Sequence, residues 1–236
     1  MASDPSQLTI QFRPERRVDV IDVNQHVEDE ATGFLEHHQE ALYCSYHTTG
    51  GYLEETICNR LDQCQDQVHE FLAPFRELFP YGAEYQHDQL HLRKELSPKQ
   101  RRTEPRNADS HLTFIGSGLE NCVTYPSNPA RPVFFVDLDG INKDNDDRRE
   151  RRTTILGYDD ERLVDEMELQ VPVSDHSIDS VSLRDPRLGI FERLHEMLAE
   201  RGIKRGRVHL ELVSGEKHAG LTVNEYEPLL MKHGLR

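Results

Sequence analysis

Three histidines in separate segments, His47, His87 and His111, are the side chains with most chemistry to offer. A neutral imidazole is the commonest nitrogen ligand for a divalent metal, zinc above all, and three protein ligands leave one position open for water or substrate. Asp88 and Asp109 stand beside two of them. A carboxylate there can orient an imidazole through its second nitrogen, or help hold a hard cation such as magnesium with phosphate attached. It can equally serve as a turn residue that caps backbone. The catalytic candidates are therefore His47, His87, His111 and Asp88, with the three histidines also the metal candidates. His37, His38, His69 and His91 read as hydrogen-bonding or surface histidines, an alternative that stays open for the other three.

A small phosphorylated substrate is the expected partner. The Thr48 and Thr49 hydroxyls and the Gly50-Gly51 amides offer a cradle for phosphate, because glycine lets backbone approach an anion closely. Arg131, and with it Arg106, Arg151 and Arg152, can pair with phosphate oxygens. The sequence contains no nucleophile elbow, P-loop or dinucleotide fingerprint, so covalent catalysis ranks low.

The elements that must position these residues read as a mixed α/β (α+β) pattern. Alternating apolar residues in Leu8–Phe12 and again in Val18–Val23 predict two strands joined at Arg13-Pro14, an opening hairpin. Residues 28–39 are weakly helical with an interruption at Gly33, and Ala41–Tyr46 suits a buried strand that leaves His47 at its end. From Asn59 the spacing of Leu61, Cys64, Val68, Phe71, Leu72 and Phe75 is helical, with a kink expected at Pro74 and an end near Phe79-Pro80. Residues 96–107, with two prolines and three arginines, read as a loop. Ser110–Phe114 and glycines 116 and 118 lead into a further strand, followed by strands at Val133–Leu138 and Thr153–Leu156. The pattern then restarts. A strand is expected over Met167–Val173, and a helix capped by Asp185 with Pro186 at its first position and Gly202 at its end. Another strand is expected over Val208–Leu212, and a last helix from Glu225.

Composition excludes several classes. With 43 acidic against 28 basic side chains the formal charge is -15, which repels nucleic acid and anionic membrane. The longest apolar runs fall far short of the roughly 20 residues that cross a bilayer. Cys44, Cys58, Cys64 and Cys122 make no C-x-x-C pair and no signal peptide opens the chain, so reduced thiols in a cytoplasmic protein are expected.

Three segments, His47-Thr48-Thr49-Gly50-Gly51, Tyr85-Gln86-His87-Asp88 and Asn107-Ala108-Asp109-Ser110-His111-Leu112, in this order, resemble the three histidine segments of the YjbQ family. Gly116-Ser117-Gly118 and Phe134-Phe135-Val136-Asp137-Leu138-Asp139-Gly140 are similar to its glycine turn and late strand. The resemblance implies a YjbQ-like domain over 1–160. It also implies the activity of a thiamine-phosphate synthase, joining a pyrimidine pyrophosphate to a thiazole phosphate with release of pyrophosphate. The first copy departs from the family at Glu55 and Thr56, where the family carries Asn-Glu, and at Pro129-Ala130-Arg131, where it carries tryptophan. The rival expectation is a non-catalytic subunit that binds a metal or a small anion.

Ala219–Leu230 resembles the same family motif again, with Asn224 and Glu225 retained and Glu216 in place of the histidine, two residues before His218. This repeat predicts a truncated second unit over 161–236. The resemblance further implies a homo-oligomer, in the family a trimer, and an unpaired sheet edge in a half-length copy gives the same expectation.

Overall fold

The computed structural model describes residues 4–91, 93, 96–142, 146–172 and 181–217. In chain order the elements are β1 (Ser6–Phe12), β2 (Asp19–Asp22), α1 (Val23–Glu30), a 3-10 turn (Phe34–His37), β3 (Glu40–Ser45) and β4 (Gly50–Tyr52). Next come α2 (Glu55–Arg60), α3 (Gln65–Leu78), a single helical turn α4 (Gln100–Thr103) and α5 (Ala108–Gly116). Strands β5 (Cys122–Pro126), β6 (Phe134–Asp137) and β7 (Arg151–Tyr158) and helix α6 (Ile190–Arg201) complete the series.

The strands form two sheets, β1-β7-β3-β5 and β2-β6-β4, with every pair antiparallel. The fold is thus α+β, with antiparallel sheets and packed helices. The expected opening hairpin does not form: β1 pairs with β7 and β2 with β6, so residues 13–18 carry the chain from one sheet to the other. Alternation reports a half-buried strand but not its partner.

An aromatic seam joins the sheets. Phe12 on β1 meets Phe135 on β6 at 5.1 Å between ring centroids, Tyr52 on β4 meets Phe135 at 5.4 Å, and Tyr43 on β3 meets Tyr52 at 5.7 Å, all tilted or edge-on. Offset geometry of this kind lets the positive ring edge face the negative ring face. The hydroxyls buried with these rings find partners: Tyr43 donates to Asn24 Oδ1 at 2.6 Å and Tyr125 to the Leu53 carbonyl at 2.7 Å. Gly50 and Gly51 belong to this packing. A Cβ on Gly50 would lie 2.7 Å from the Phe135 ring, and one on Gly51 2.4 Å from the Glu120 carbonyl.

The helical expectations hold in part. The helix foreseen from Asn59 is broken at 61–64, where Asp62 and Gln63 adopt left-handed φ of 51° and 52°, and Pro74 lies inside α3. Ser110–Phe114 is helical, within α5, and the strand it leads to is β5 after the left-handed turn at Gly118. Helix α6 starts at Ile190, later than expected. Asp185 instead closes a turn, accepting from the Arg187 backbone at 2.9 Å, and Gly202 ends the helix with φ 63°. Residues 167–172 and 208–212 form no strand. Val171, Val208, Leu210 and Leu212 are exposed, so alternation there has no second strand to pair with. The motif at 219–230, His218 and the helix expected from Glu225 lie outside the described residues.

One ion pair fastens the sheets at the end where the histidine segments gather. Arg151 opens β7 and Asp137 closes β6, and the guanidinium grips the carboxylate through Nε at 2.5 Å and Nη2 at 2.7 Å. Both side chains are buried, Asp137 completely. Breaking a buried pair from one side strands the other charge. Arg151→Leu should therefore destabilise the protein by about 3–5 kcal/mol in urea unfolding. The double variant with Asp137→Leu should recover part of the loss, and a single-variant cost within the scatter of surface substitutions would make the pair peripheral.

Candidate functional site

Asp139, two residues beyond the clasp, gathers the site around it. Its carboxylate is 1 % exposed. It accepts from Arg17 Nη1 at 2.9 Å and Asn107 Nδ2 at 2.8 Å, and it faces Arg149 Nη2 at 2.7 Å. Arg149 also donates through Nε to the Asp139 carbonyl at 2.9 Å. Arg17 reaches onward to Asp109 at 2.9 Å and lies over the Tyr81 ring at 4.5 Å. Burial raises the Asp109 carboxyl above its usual range, against the pull of Arg17.

Helix α5 starts on this cluster. Asn107 occupies its N-cap, but the first free amide, that of Ala108, is taken by Asp88 Oδ1 at 3.1 Å, from a different segment. A carboxylate at a helix N-terminus meets both an unpaired donor and the positive end of the dipole. The same oxygen accepts from His87 Nδ1 at 2.9 Å, and Arg93 Nη1 approaches His87 Nε2 at 3.3 Å. A tautomer with its proton on Nδ1 satisfies both contacts. His87 is 1 % exposed.

One turn into α5, the His111 ring stacks at a tilt beside His87, with centroids 5.1 Å apart. The Thr48 backbone lies against this ring. Burial, with His87, Arg93 and Arg149 nearby, pushes its pKa down to about 3, so the ring is neutral around pH 7. His111 Nδ1 is buried and has no hydrogen-bond partner. The same holds for Asn107 Oδ1 and Arg149 Nη2, the latter close to Asp139 but misaligned for a hydrogen bond. Each such atom forfeits about 1–3 kcal/mol unless something fills the gap.

The three candidate histidines do not converge as expected. His87 and His111 are neighbours, brought together by a turn and a helix rather than by strand ends. His47, after β3, accepts from the Arg152 backbone through Nε2 at 3.0 Å and packs edge-on to Phe135. Burial, then Arg151, pushes its pKa down to about 4. Among the described residues no group of three His, Cys, Asp or Glu side chains could hold a metal. His47 Nε2 and both His87 nitrogens are engaged, so the expected His47, His87 and His111 divalent-metal site does not fit the geometry.

The phosphate candidates divide as well. Thr49 is buried, with Oγ1 3.4 Å from Arg151 Nη2, and Thr48 is exposed apart from the contact with His111. Gly50 lies in β4 opposite Asp137 and makes room for Phe135 rather than for an anion. Arg131 is turned away, donating to Asn59 Oδ1 at 2.7 Å and reaching Glu55 at 3.4 Å. Arg106 is exposed, and Arg152 lies over the Tyr46 ring at 4.7 Å. Sequence reasoning missed Arg17, Arg93, Asp139 and Arg149. The available signal was Asp137-Leu138-Asp139-Gly140 followed by Arg149 and Arg151, two acids and two bases each spaced by two.

A cavity of about 90 Å³ lined by Arg17, Tyr81, Asp109, Ser110 and neighbouring apolar groups abuts this cluster. A roomier hollow of about 240 Å³, among Glu15, Arg16, Asp19, Gln65, Asp66 and His69, contains none of the candidate residues. No helix among the described residues is long and apolar enough to cross a membrane.

No family model and no curated protein matches the chain. Solved structures do. A YbjQ-like protein of unknown function from Sulfolobus solfataricus P2 is 16% identical with a TM-score of 0.44, over 66% of this chain and 99% of its own. A hypothetical protein from Aeropyrum pernix K1 is 23% identical with a TM-score of 0.39, over 65% and 97%. An uncharacterized conserved protein of the YjbQ family from Clostridium acetobutylicum is 16% identical with a TM-score of 0.38, over 63% and 97%.

The depressed His111 pKa sets a pH dependence. An unfolded histidine takes up its proton as pH falls through about 6.5, while the folded ring does so only near 3. Stability contributed by the neutral ring is thus complete above that window and declines as pH falls, by at most about 1.4 kcal/mol per pH unit. In His111→Asn this component is absent, and carboxylates common to both proteins cancel. The stability of the wild type relative to His111→Asn, from urea midpoints, should therefore shrink between pH 7 and pH 4.5. A difference constant with pH would contradict a neutral buried His111.

Proposed function

We propose that the chain is a YjbQ-like protein that binds a small phosphorylated molecule at the His87–His111 pair. The observation that carries this is the unpartnered, buried Nδ1 of His111, held beside His87 with Arg93 and Arg149 near it. In a chain with 15 more acidic than basic groups, Arg93 and Arg149 lie beside this spot, while Arg17 and Arg151 pair with the adjoining carboxylates Asp109, Asp139 and Asp137. A phosphate group can give an oxygen to a guanidinium and a hydroxyl proton to a neutral imidazole nitrogen, and arginine offers two parallel donors to such an oxyanion. The activity implied by the sequence resemblance, joining a pyrimidine pyrophosphate to a thiazole phosphate, demands stabilisation of departing pyrophosphate. Fixed cationic donors out of water supply it. Asp88 acts through His87 by holding its tautomer, and assembly as a homo-oligomer belongs to the same reading.

A second reading, an anion-binding protein without catalysis, is favoured by two contacts. Both His87 nitrogens are already engaged, which leaves in the pair only His111, a weak base with its pKa pushed down to about 3, and Arg131 is spent on Glu55 and Asn59. Calorimetric titration with inorganic pyrophosphate, then an assay for thiamine phosphate from the two precursors, separates the readings. Wild type should bind pyrophosphate, and His111→Asn should bind it about 10-fold more weakly, the worth of one hydrogen bond to a charged group. Binding with synthesis supports the enzyme and binding without it the second reading. No binding by the wild type overturns the site.

A further inference from the structure

We infer that Cys44 and Cys122 form a thiol–disulfide exchange site on the four-stranded sheet, reacting with small-molecule disulfides. The sequence offers no hint of it, since 78 positions separate the two residues. The register of β3 on β5 places them directly opposite one another. Ser45 N donates to the Asn121 carbonyl at 2.7 Å, so the next pair along, Cys44 with Cys122, falls at the position that lacks ladder hydrogen bonds. Side chains approach closest there, with Cα atoms about 4.5 Å apart, inside the span a disulfide tolerates. The sulfurs are already 3.5 Å apart and both thiols are free.

The two thiols are unlike. Cys122 is exposed and Cys44 half-buried, so a reagent from solution meets Cys122 first. The hydrogen bond shared with Cys44 and the nearby Arg207 pull the Cys122 thiol down to about 7, against burial and Glu120, while the same bond and burial push Cys44 up. An attacking sulfur is most effective when its pKa is near the ambient pH. The remaining cysteines lack this arrangement: Cys58 is buried against the Tyr125 hydroxyl at 3.1 Å, and Cys64 precedes α3.

The chemistry balances without a bound cofactor. The Cys122 thiolate attacks one sulfur of a disulfide RSSR, expelling RS⁻ and leaving Cys122–S–S–R. Cys44 then gives its proton to solvent, and its sulfur attacks Cys122 Sγ and expels the second RS⁻. Two protein thiols are oxidised and RSSR is reduced to two thiols. The new bond would join strands whose next residues both tether the His47 turn: Ser45 Oγ accepts from His47 N at 3.2 Å, and Asn121 Nδ2 donates to the His47 carbonyl at 2.7 Å.

The test equilibrates the full chain with oxidised and reduced glutathione, quenches with acid, alkylates and maps peptides by mass. Oxidised protein should be lighter by two hydrogens within one chain, with Cys44 linked to Cys122 and with Cys58 and Cys64 still alkylated. Cys44→Ser should accumulate a glutathione adduct on Cys122, and Cys122→Ser should lose thiols about 10-fold more slowly. A wild type that keeps four free thiols in excess oxidised glutathione, or one that links other cysteines or separate chains, overturns the proposal. The wild-type map decides without either variant.

Discussion

The grip of Arg151 on Asp137 is the constraint on which the rest of this molecule depends. A carboxylate wholly out of water is tolerable only with a cation and further donors around it. Its guanidinium comes from the other sheet, so the pair sets where β6 and β7 stand relative to one another. What remains of the guanidinium's capacity goes to Thr49 Oγ1 and the Asp139 carbonyl. Three chain segments are thereby drawn to one corner, and Asp139 is turned to collect Arg17, Asn107 and Arg149. The aromatic seam and the aliphatic residues around it supply the buried apolar area, but area is indifferent to register. The ion pair is directional, and it fixes the end of the sheets at which a site can exist.

From that corner the histidine pair follows with few choices left. Asn107 is held by Asp139, so α5 must begin there, and one turn later comes His111. Asp88 caps the same helix while orienting His87, which brings the second ring alongside. The outcome is a buried spot in which arginines and carboxylates are paired, with the His87 ring engaged by protein groups and the His111 ring held neutral. The engaged and neutral rings separate this cluster from the three-histidine metal centre that residue types alone suggest.

The fold class was legible in the sequence because strand and helix periods are local properties. Helix α3, strands β3, β6 and β7, and the glycine end of α6 all lie close to where spacing puts them. Pairing was not legible: β1 and β2 have alternation suited to a hairpin, yet their partners lie more than a hundred residues away. Helix α5 left no local sign either, since its cap is supplied by Asp88 from a different segment. At the site, His87 and His111 were visible as residue types in a motif, and Asp88 was named beside His87. Arg17 and Arg149 were hidden, because an arginine in a charge-rich stretch looks like solvated surface until the fold brings a buried carboxylate to it. Gly50 and Gly51 misled similarly, as their missing side chains make room for Phe135 and the Glu120 backbone.

Asp88 accepts from its own neighbour His87 and from Ala108, so a single carboxylate pins both ends of a loop of 20 residues. The span between them therefore need not be a particular length to keep the rings in place. Doubling such a closed loop costs only about 0.6 kcal/mol of chain entropy. A residue inserted between His87 and Asp88 would break the contact of the ring with this carboxylate, which depends on their adjacency. Within the loop Arg93, held between His87 and Glu104, is constrained as the two endpoints are.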